Sequence, residues 1–256
     1  MWRSSFLAAA VAAAACGRSG FERHPPSDAP PDTITNGPQT YRDAVIAAQP
    51  LAYWRFGDTD AAVRDEMGGA AGSFTGGCTQ GVAGALHGDQ DPAMKLDGTC
   101  RILLGSGFEF DGNAPYAIEV WIHTSLNTVY QQVFGRETRD TQNPIDGYEL
   151  AVAPTGVQIE RVIATSNNKT PAVTFATDRY SHVVAQYTGT TQQVWIDGVQ
   201  VAQSIDARMT LANGAPALAG ASTMGNFFTG DMDELAIYGR PLGGDEIQLH
   251  HMLGTN

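Results

Sequence analysis

The sequence predicts an all-β fold, with two antiparallel sheets packed face to face and a short C-terminal helix. Three observations lead there. From Leu51 to Tyr238 the chain divides into short apolar or alternating runs of strand length, separated by turn-forming clusters. The composition favours turns over long helices, with 29 Gly, 13 Pro and 18 Asp against 9 Glu. Asp197-Gly198, set between two alternating runs, is a tight-hairpin signal, because Gly takes the φ > 0 position without a Cβ clash. Strands with no long helix between them cannot build parallel βαβ units, which leaves two stacked antiparallel sheets.

The chain has 256 residues, 43% hydrophobic and 16% charged, enough for one large domain and too apolar for disorder. A body of this size buries roughly 70% of its unfolded surface. The net charge is -12, and Lys95 and Lys169 are the only lysines. So anionic a surface repels phosphate backbones, so no nucleic-acid partner is expected.

Residues 1–16 form an export signal. Met1-Trp2-Arg3 gives a positive start, and Phe6 to Ala15 is an apolar run too short to span a bilayer, which takes about 20 residues. Ala13-Ala14-Ala15-Cys16 resembles a bacterial lipobox, with Ala13 where Leu is usual, so Cys16 is expected to carry lipid. The alternative is an ordinary signal cleaved after Ala-x-Ala. Residues 17–40 are polar with five Pro, a tether that cannot bury enough surface to order itself.

Residues 41–256 form the folded domain. Tyr41 to Ala48 suits a short helix closed by Pro50. Strands are expected at 51–56, 93–97, 101–104, 116–123, 148–153, 157–164, 172–176, 182–187, 192–196, 199–205 and 230–238. In Tyr116 to His123, Ile118, Val120 and Ile122 face one way while Ala117, Glu119 and Trp121 face the other. After Pro241, Asp245 and Glu246 precede Ile247, Leu249 and Met252, the pattern of a short amphipathic helix. Of three cysteines, lipidation of Cys16 would leave Cys78 and Cys100 as a pair in an oxidising compartment. Closing that loop as a disulfide stabilises by about 3 kcal/mol. A metal site on both thiolates is the rival, but no further His or Cys sits at ligand spacing.

An ordered set of motifs brings a family into view. Ala52-Tyr53-Trp54-Arg55-Phe56, Ile118-Glu119-Val120-Trp121-Ile122, Ser181-His182-Val183-Val184 and Trp195-Ile196-Asp197-Gly198 resemble the laminin-G-like jelly rolls of the concanavalin A-like lectin/glucanase superfamily. So does the closing run from Phe228 through Asp231-Met232-Asp233-Glu234 to Leu242. Tyr180 departs from it, standing where the family commonly has Trp. The resemblance implies a two-sheet jelly roll that binds glycans or proteins, with a minority of hydrolases. It also implies one structural calcium, for which Asp58, Asp65, Asp231 and Asp233 are the matching candidates. Their alternative role is to cap turns and accept backbone hydrogen bonds.

No catalytic set is complete. A retaining glycosidase needs two carboxyls ~5 Å apart, and the glucanase branch sets them as Glu-x-Asp-x-x-Glu on one strand. Glu109-Phe110-Asp111 and Asp231-Met232-Asp233 both lack the last Glu. The histidines form no metal motif, and neither Gly-x-Ser-x-Gly nor a phosphate loop is present. Trp54, Trp121 and Trp195 fall on strand motifs and belong to the core. Tyr130, Tyr148, Phe227 and Phe228 remain as candidate sugar-stacking aromatics, with polar loops at 135–147 and 164–171 beside them. The expectation is an exported, lipid-anchored, non-catalytic module of the bacterial envelope, at the outer membrane or cell surface. Its only membrane contact is the anchor at Cys16, and carbohydrate is the first ligand class. The alternatives are an adhesion scaffold contacting surface protein and, less favoured, a glycoside hydrolase.

Overall fold

Thr40 ends the approach to the domain by accepting the Asp43 amide on its hydroxyl at 3.1 Å, which caps helix α1 (Tyr41–Ala47). The computed structural model describes residues 37, 39–69, 71–125, 128–138, 146–164 and 166–256. Residues 1–36, and with them the export signal, Cys16 and most of the tether, lie outside the described residues. The first strands are β1 (Ala52–Trp54), β2 (Ala62–Val63), β3 (Gly72–Thr75), β4 (Cys78–Val82), β5 (Ala93–Asp97) and β6 (Arg101–Leu103). Longer ones follow as β7 (Tyr116–His123), β8 (Gln131–Thr138), β9 (Asp146–Ala153), β10 (Gly156–Ile163) and β11 (Ser166–Lys169). The chain closes with β12 (Ser181–Tyr187), β13 (Thr191–Ile196), β14 (Val199–Ile205), β15 (Leu218–Ala219), β16 (Thr229–Tyr238) and α2 (Gly244–Thr255).

These strands form two eight-stranded antiparallel sheets, a jelly-roll sandwich. The first runs β14-β13-β12-β7-β16-β5-β4, with β1 paired to β16 beside β5; the second runs β11-β10-β9-β8-β15-β6-β3-β2. Alternation sends Ile118, Val120 and Ile122 of β7 into the space between the sheets, against Leu150, Val152, Val157 and Ile159 of the second. Each such side chain contributes about 1.5–3 kcal/mol on burial.

The other face of β7 is buried as well. Ala117 and Trp121 pack under Tyr41 and Val45 of α1 and Ile247 of α2, so the two helices cover part of the first sheet's outer face. Gly254 makes that contact close: a Cβ there would come within 2.4 Å of the Trp121 indole.

At the hairpin, Asp197 (φ 51) and Gly198 (φ 78) both take the left-handed conformation its tight turn requires. Cys78 and Cys100 form a disulfide, joining β4 to the turn where the chain leaves the first sheet for the second. Residues 172–176, expected as a strand, keep only a bridge from Val173 to Val157. The polar loops expected at 135–147 and 164–171 are partly strand: 135–138 complete β8 and 166–169 form β11. These segments hide because their outward residues are polar, so hydropathy shows no period there. Residues 139–145 and 165 are not among those described.

Candidate functional site

The outer face of the second sheet carries the polar groups that the helices do not cover. It is built on the β9–β10 hairpin, whose turn Pro154-Thr155 pairs Ala153 with Gly156 and therefore Glu149 with Glu160. Both glutamates point away from the core, on opposite strands, where like charges repel. The Tyr130 hydroxyl, just before β8, donates to Glu149 Oε1 at 2.7 Å and lies 3.4 Å from Glu160 Oε2. The two carboxylates thus lie within about 6 Å of each other. Burial, then the charges of Glu149 and Glu160, push the Tyr130 phenol far above its ordinary value. It therefore stays protonated and keeps donating.

This pair has a hydrolase's spacing but not its opening. A glycosidase needs the anomeric carbon, or an attacking water, between its carboxyls. Here the Tyr130 hydroxyl fills that position, and Glu149 and Glu160 are 0% and 4% exposed. Sequence reasoning missed both glutamates. The signal was the two-residue turn: once Ala153 is set opposite Gly156, Glu149 must face Glu160.

Farther across the same face, on β3, β6 and β15, lies an open hollow of about 340 Å³ lined by Ser73, Thr75, Arg101, Leu103, Leu218 and Thr223. The Arg101 guanidinium stands 5.5 Å from the Phe227 ring centroid and donates to Ser222 O at 3.1 Å. Phe227 is half-buried, and Leu103 is 43% exposed. The expected aromatics thus divide. Phe228 is 0% exposed, because neighbours along extended chain point to opposite sides and its backbone is pinned to Gly220. Tyr148 is corrected too. It lies in β9, where a strand was expected, but faces the core, with its ring 4.4 Å from Tyr116 and its hydroxyl on Phe108 O. Only Tyr130 and Phe227 reach the second sheet's outer side.

The four acids expected to share a calcium are not brought together. Asp58 accepts the Arg64 amide at 2.7 Å and pairs with its guanidinium. Asp65 accepts the amides of Tyr53, Met67 and Gly69, ordering its own loop. Asp231 pairs with His123 at 3.2 Å. Asp233 accepts the Ala85 amide and joins a different group, with Asp91 and Glu234, whose ligand oxygens lie within 4.8 Å of one another.

Arg55 donates to Glu234 Oε1 at 2.9 Å, and the Tyr53 hydroxyl donates to Glu234 Oε2. Burial, then the Glu234 charge, holds the Asp233 carboxyl well above the usual range. Glu234 is pushed up to about 7 by burial, against the pull of Arg55 and Tyr53. Glu234 also sits at φ 54, inside a bulge between β16 and β7. Asp91 lies far from Asp233 in the chain, so no spacing rule could have joined them.

A family model described as the concanavalin A-like lectin/glucanases superfamily matches residues 97–248. A search of curated proteins gave no match. Among solved structures, domain 4 of AbnA, a GH43 extracellular arabinanase from Geobacillus stearothermophilus in complex with arabinotriose, is similar at a TM-score of 0.61. It is 19% identical, over 79% of this chain and 98% of that one. The binding domain of botulinum neurotoxin DC in complex with SialylT is similar at 0.53 and 11% identity, over 77% of this chain and 52% of that one. Trypanosoma rangeli sialidase in complex with sialic acid is similar at 0.56 and 13% identity, over 80% of this chain and 33% of that one. At these identities the likeness is one of fold.

Proposed function

The chain belongs to the concanavalin A-like lectin/glucanases superfamily, and from that premise we propose that it is an exported, lipid-anchored, non-catalytic module that binds carbohydrate on the outer face of its second sheet. The observation that carries this reading is the hollow of about 340 Å³ lined by Arg101, whose guanidinium stands 5.5 Å from the Phe227 ring. A sugar ring offers CH groups to the aromatic and apolar side chains, and hydroxyls to Ser73, Thr75, Thr223 and the Arg101 guanidinium. A shallow site of this kind immobilises few atoms, so its affinity is modest. Two solved relatives of the fold were determined with an oligosaccharide bound, arabinotriose in one and SialylT in the other, which supports the ligand class. The disulfide supports an oxidising, extracytoplasmic setting. The anchor at Cys16 and the envelope location rest on the sequence alone.

Non-catalytic action is supported by the Tyr130 hydroxyl between Glu149 and Glu160. Calcium belongs to the same proposal, at a different set of acids from the one the sequence suggested. Asp91 Oδ2 and Asp233 Oδ1 are buried without a hydrogen-bond partner among the described residues, and the donors are all oxygens, the chemistry calcium prefers. Asp91, Asp233 and Glu234 would hold it. The ion would add to Arg55, which already pairs with Asp91 and Glu234, in offsetting their mutual repulsion, and would tie the loop before β5 to the last strand.

The test is a glycan array probed with the purified protein, with and without calcium, alongside hydrolysis assays on the same glycans. Binding without turnover supports the proposal. Turnover of any glycan would restore the hydrolase reading, and silence on every glycan would favour the protein-contact one.

A further inference from the structure

We infer that the protein has a second glycan site on the opposite sheet, built on a row of side chains that crosses β5, β16 and β7. The inference rests on the carbohydrate reading and adds a place of engagement. In the strand register Asp231 is the partner of Lys95 on one side and of His123 on the other. All three point outward, since their neighbours Leu96, Met232 and Ile122 belong to the core. Neighbouring strands stand about 4.8 Å apart, so the row spans ~10 Å. The helices cover the same face farther along, around Trp121; here Lys95 is exposed and His123 and Asp231 are half-buried.

The row faces a hollow of about 440 Å³ at the strand ends, where Ser125 and Thr229 supply further hydroxyls and Asp97 a second carboxylate. The Tyr180 ring stands 5.5 Å from the His123 ring.

The chemistry of the row selects the ligand. Asp231 Oδ2 lies 3.2 Å from His123 Nδ1; Oδ1 is buried without a hydrogen-bond partner among the described residues, and the side chain as a whole is about one-fifth exposed. Lys95 is exposed and forms no ion pair among the described residues. A carboxylate acceptor flanked by an ammonium and an imidazole suits neighbouring hydroxyls on a sugar. One hydroxyl gives its hydrogen to Asp231, an adjacent oxygen accepts from Lys95, and the His123 ring offers its second nitrogen to a neighbouring hydroxyl. The hollow carries two carboxylates, Asp97 and Asp231, to one ammonium, so a neutral sugar gains more here than an acidic one would. Two sites on opposite sheets would let one molecule bridge two glycan chains, raising avidity without new contacts at either site.

The test is a titration of the isotope-labelled protein with arabinotriose and with neutral trisaccharides of glucose, galactose, xylose and mannose, read as amide shifts by NMR. Trigalacturonate serves as the acidic comparison. Two clusters of shifting amides are expected, one around 95, 123–125 and 229–231, the other around 101 and 222–227. Lys95→Ala, at an exposed position that should not disturb folding, is expected to weaken the first cluster at least tenfold and leave the second unchanged. Asp231→Asn should do the same. Phe227→Ala should weaken only the second. Absence of the first cluster with every neutral sugar overturns the second site while leaving the first intact. So does a first cluster that Lys95→Ala and Asp231→Asn leave unaltered, and a stronger response to trigalacturonate overturns the neutral-sugar assignment. Loss of the second cluster alone would count against the Phe227 site instead.

Discussion

Glu119 is where a single residue decides most. It is 0% exposed on the outer side of β7, beneath both helices. Its carboxylate accepts from His182 Nε2 at 2.7 Å and from the Tyr238 hydroxyl at 2.6 Å. Tyr41 of α1 and His250 of α2 reach the same group, at 3.1 and 2.9 Å. Burial works against the charge on Glu119, but the two histidines outweigh it and hold the carboxyl well below 4.5. Burial also works against a charged His250, yet Glu119 raises it above 6.5. A depressed acid stabilises above its unfolded value, and that contribution fades as pH falls through the folded one. A raised base stabilises below its unfolded value, and that contribution fades as pH climbs through the folded one. The node is therefore strongest between about pH 4.5 and 6.5. Urea midpoints should fall from about pH 5.5 to 8.5 in the wild type, and His250→Gln should flatten that fall; an equal fall in both would refute the pairing. Glu119→Gln leaves the ring of partners without its charge and should cost about 3–5 kcal/mol by the same method. Tyr130 and Phe227 were readable as candidates because aromatic residues outside clear strand motifs stand out. Phe228 and Tyr148 were misread because hydropathy does not say which neighbour turns inward.

At the scale of elements, β7, β13, β14 and the Asp197-Gly198 hairpin were legible because each alternates cleanly or carries a turn only glycine permits. Strand β8 was not. Its outward Gln132 and Glu137 are polar yet only 1% and 2% exposed, and Gly135 interrupts the run. The two-residue strands β2 and β15 are too short to leave a period in the sequence. The disulfide was legible from parity, and its place sharpens its role. It straps the edge strand β4 to the point where the chain changes sheets. Reduction, or Cys78→Ser with Cys100→Ser, should cost about 3 kcal/mol, a fall in melting temperature of roughly 6–12 °C. An unchanged melting curve would mean that packing alone holds that edge.

The whole molecule uses its two sheets differently. The first is sealed over part of its outer face by the helices, while the second buries its outward glutamates on β9 and β10 and keeps an open hollow lined by Arg101 on β3, β6 and β15. The architecture was legible from the ordered motifs, whereas the grouping of Asp91, Asp233 and Glu234 exists only once β5 and β16 are paired. If those acids hold calcium, a hundredfold excess over its dissociation constant adds about 2.7 kcal/mol. Millimolar calcium should then raise the melting temperature by several degrees, and Asp233→Asn should abolish the rise. The central claim is that sugar is held at Phe227 on the second sheet without being cut. The most direct test is calorimetric titration of the best glycan from the array into wild type and Phe227→Ala, with melting temperatures compared. The account predicts at least a tenfold loss of affinity with little change in stability. Equal affinities in the two proteins would contradict it.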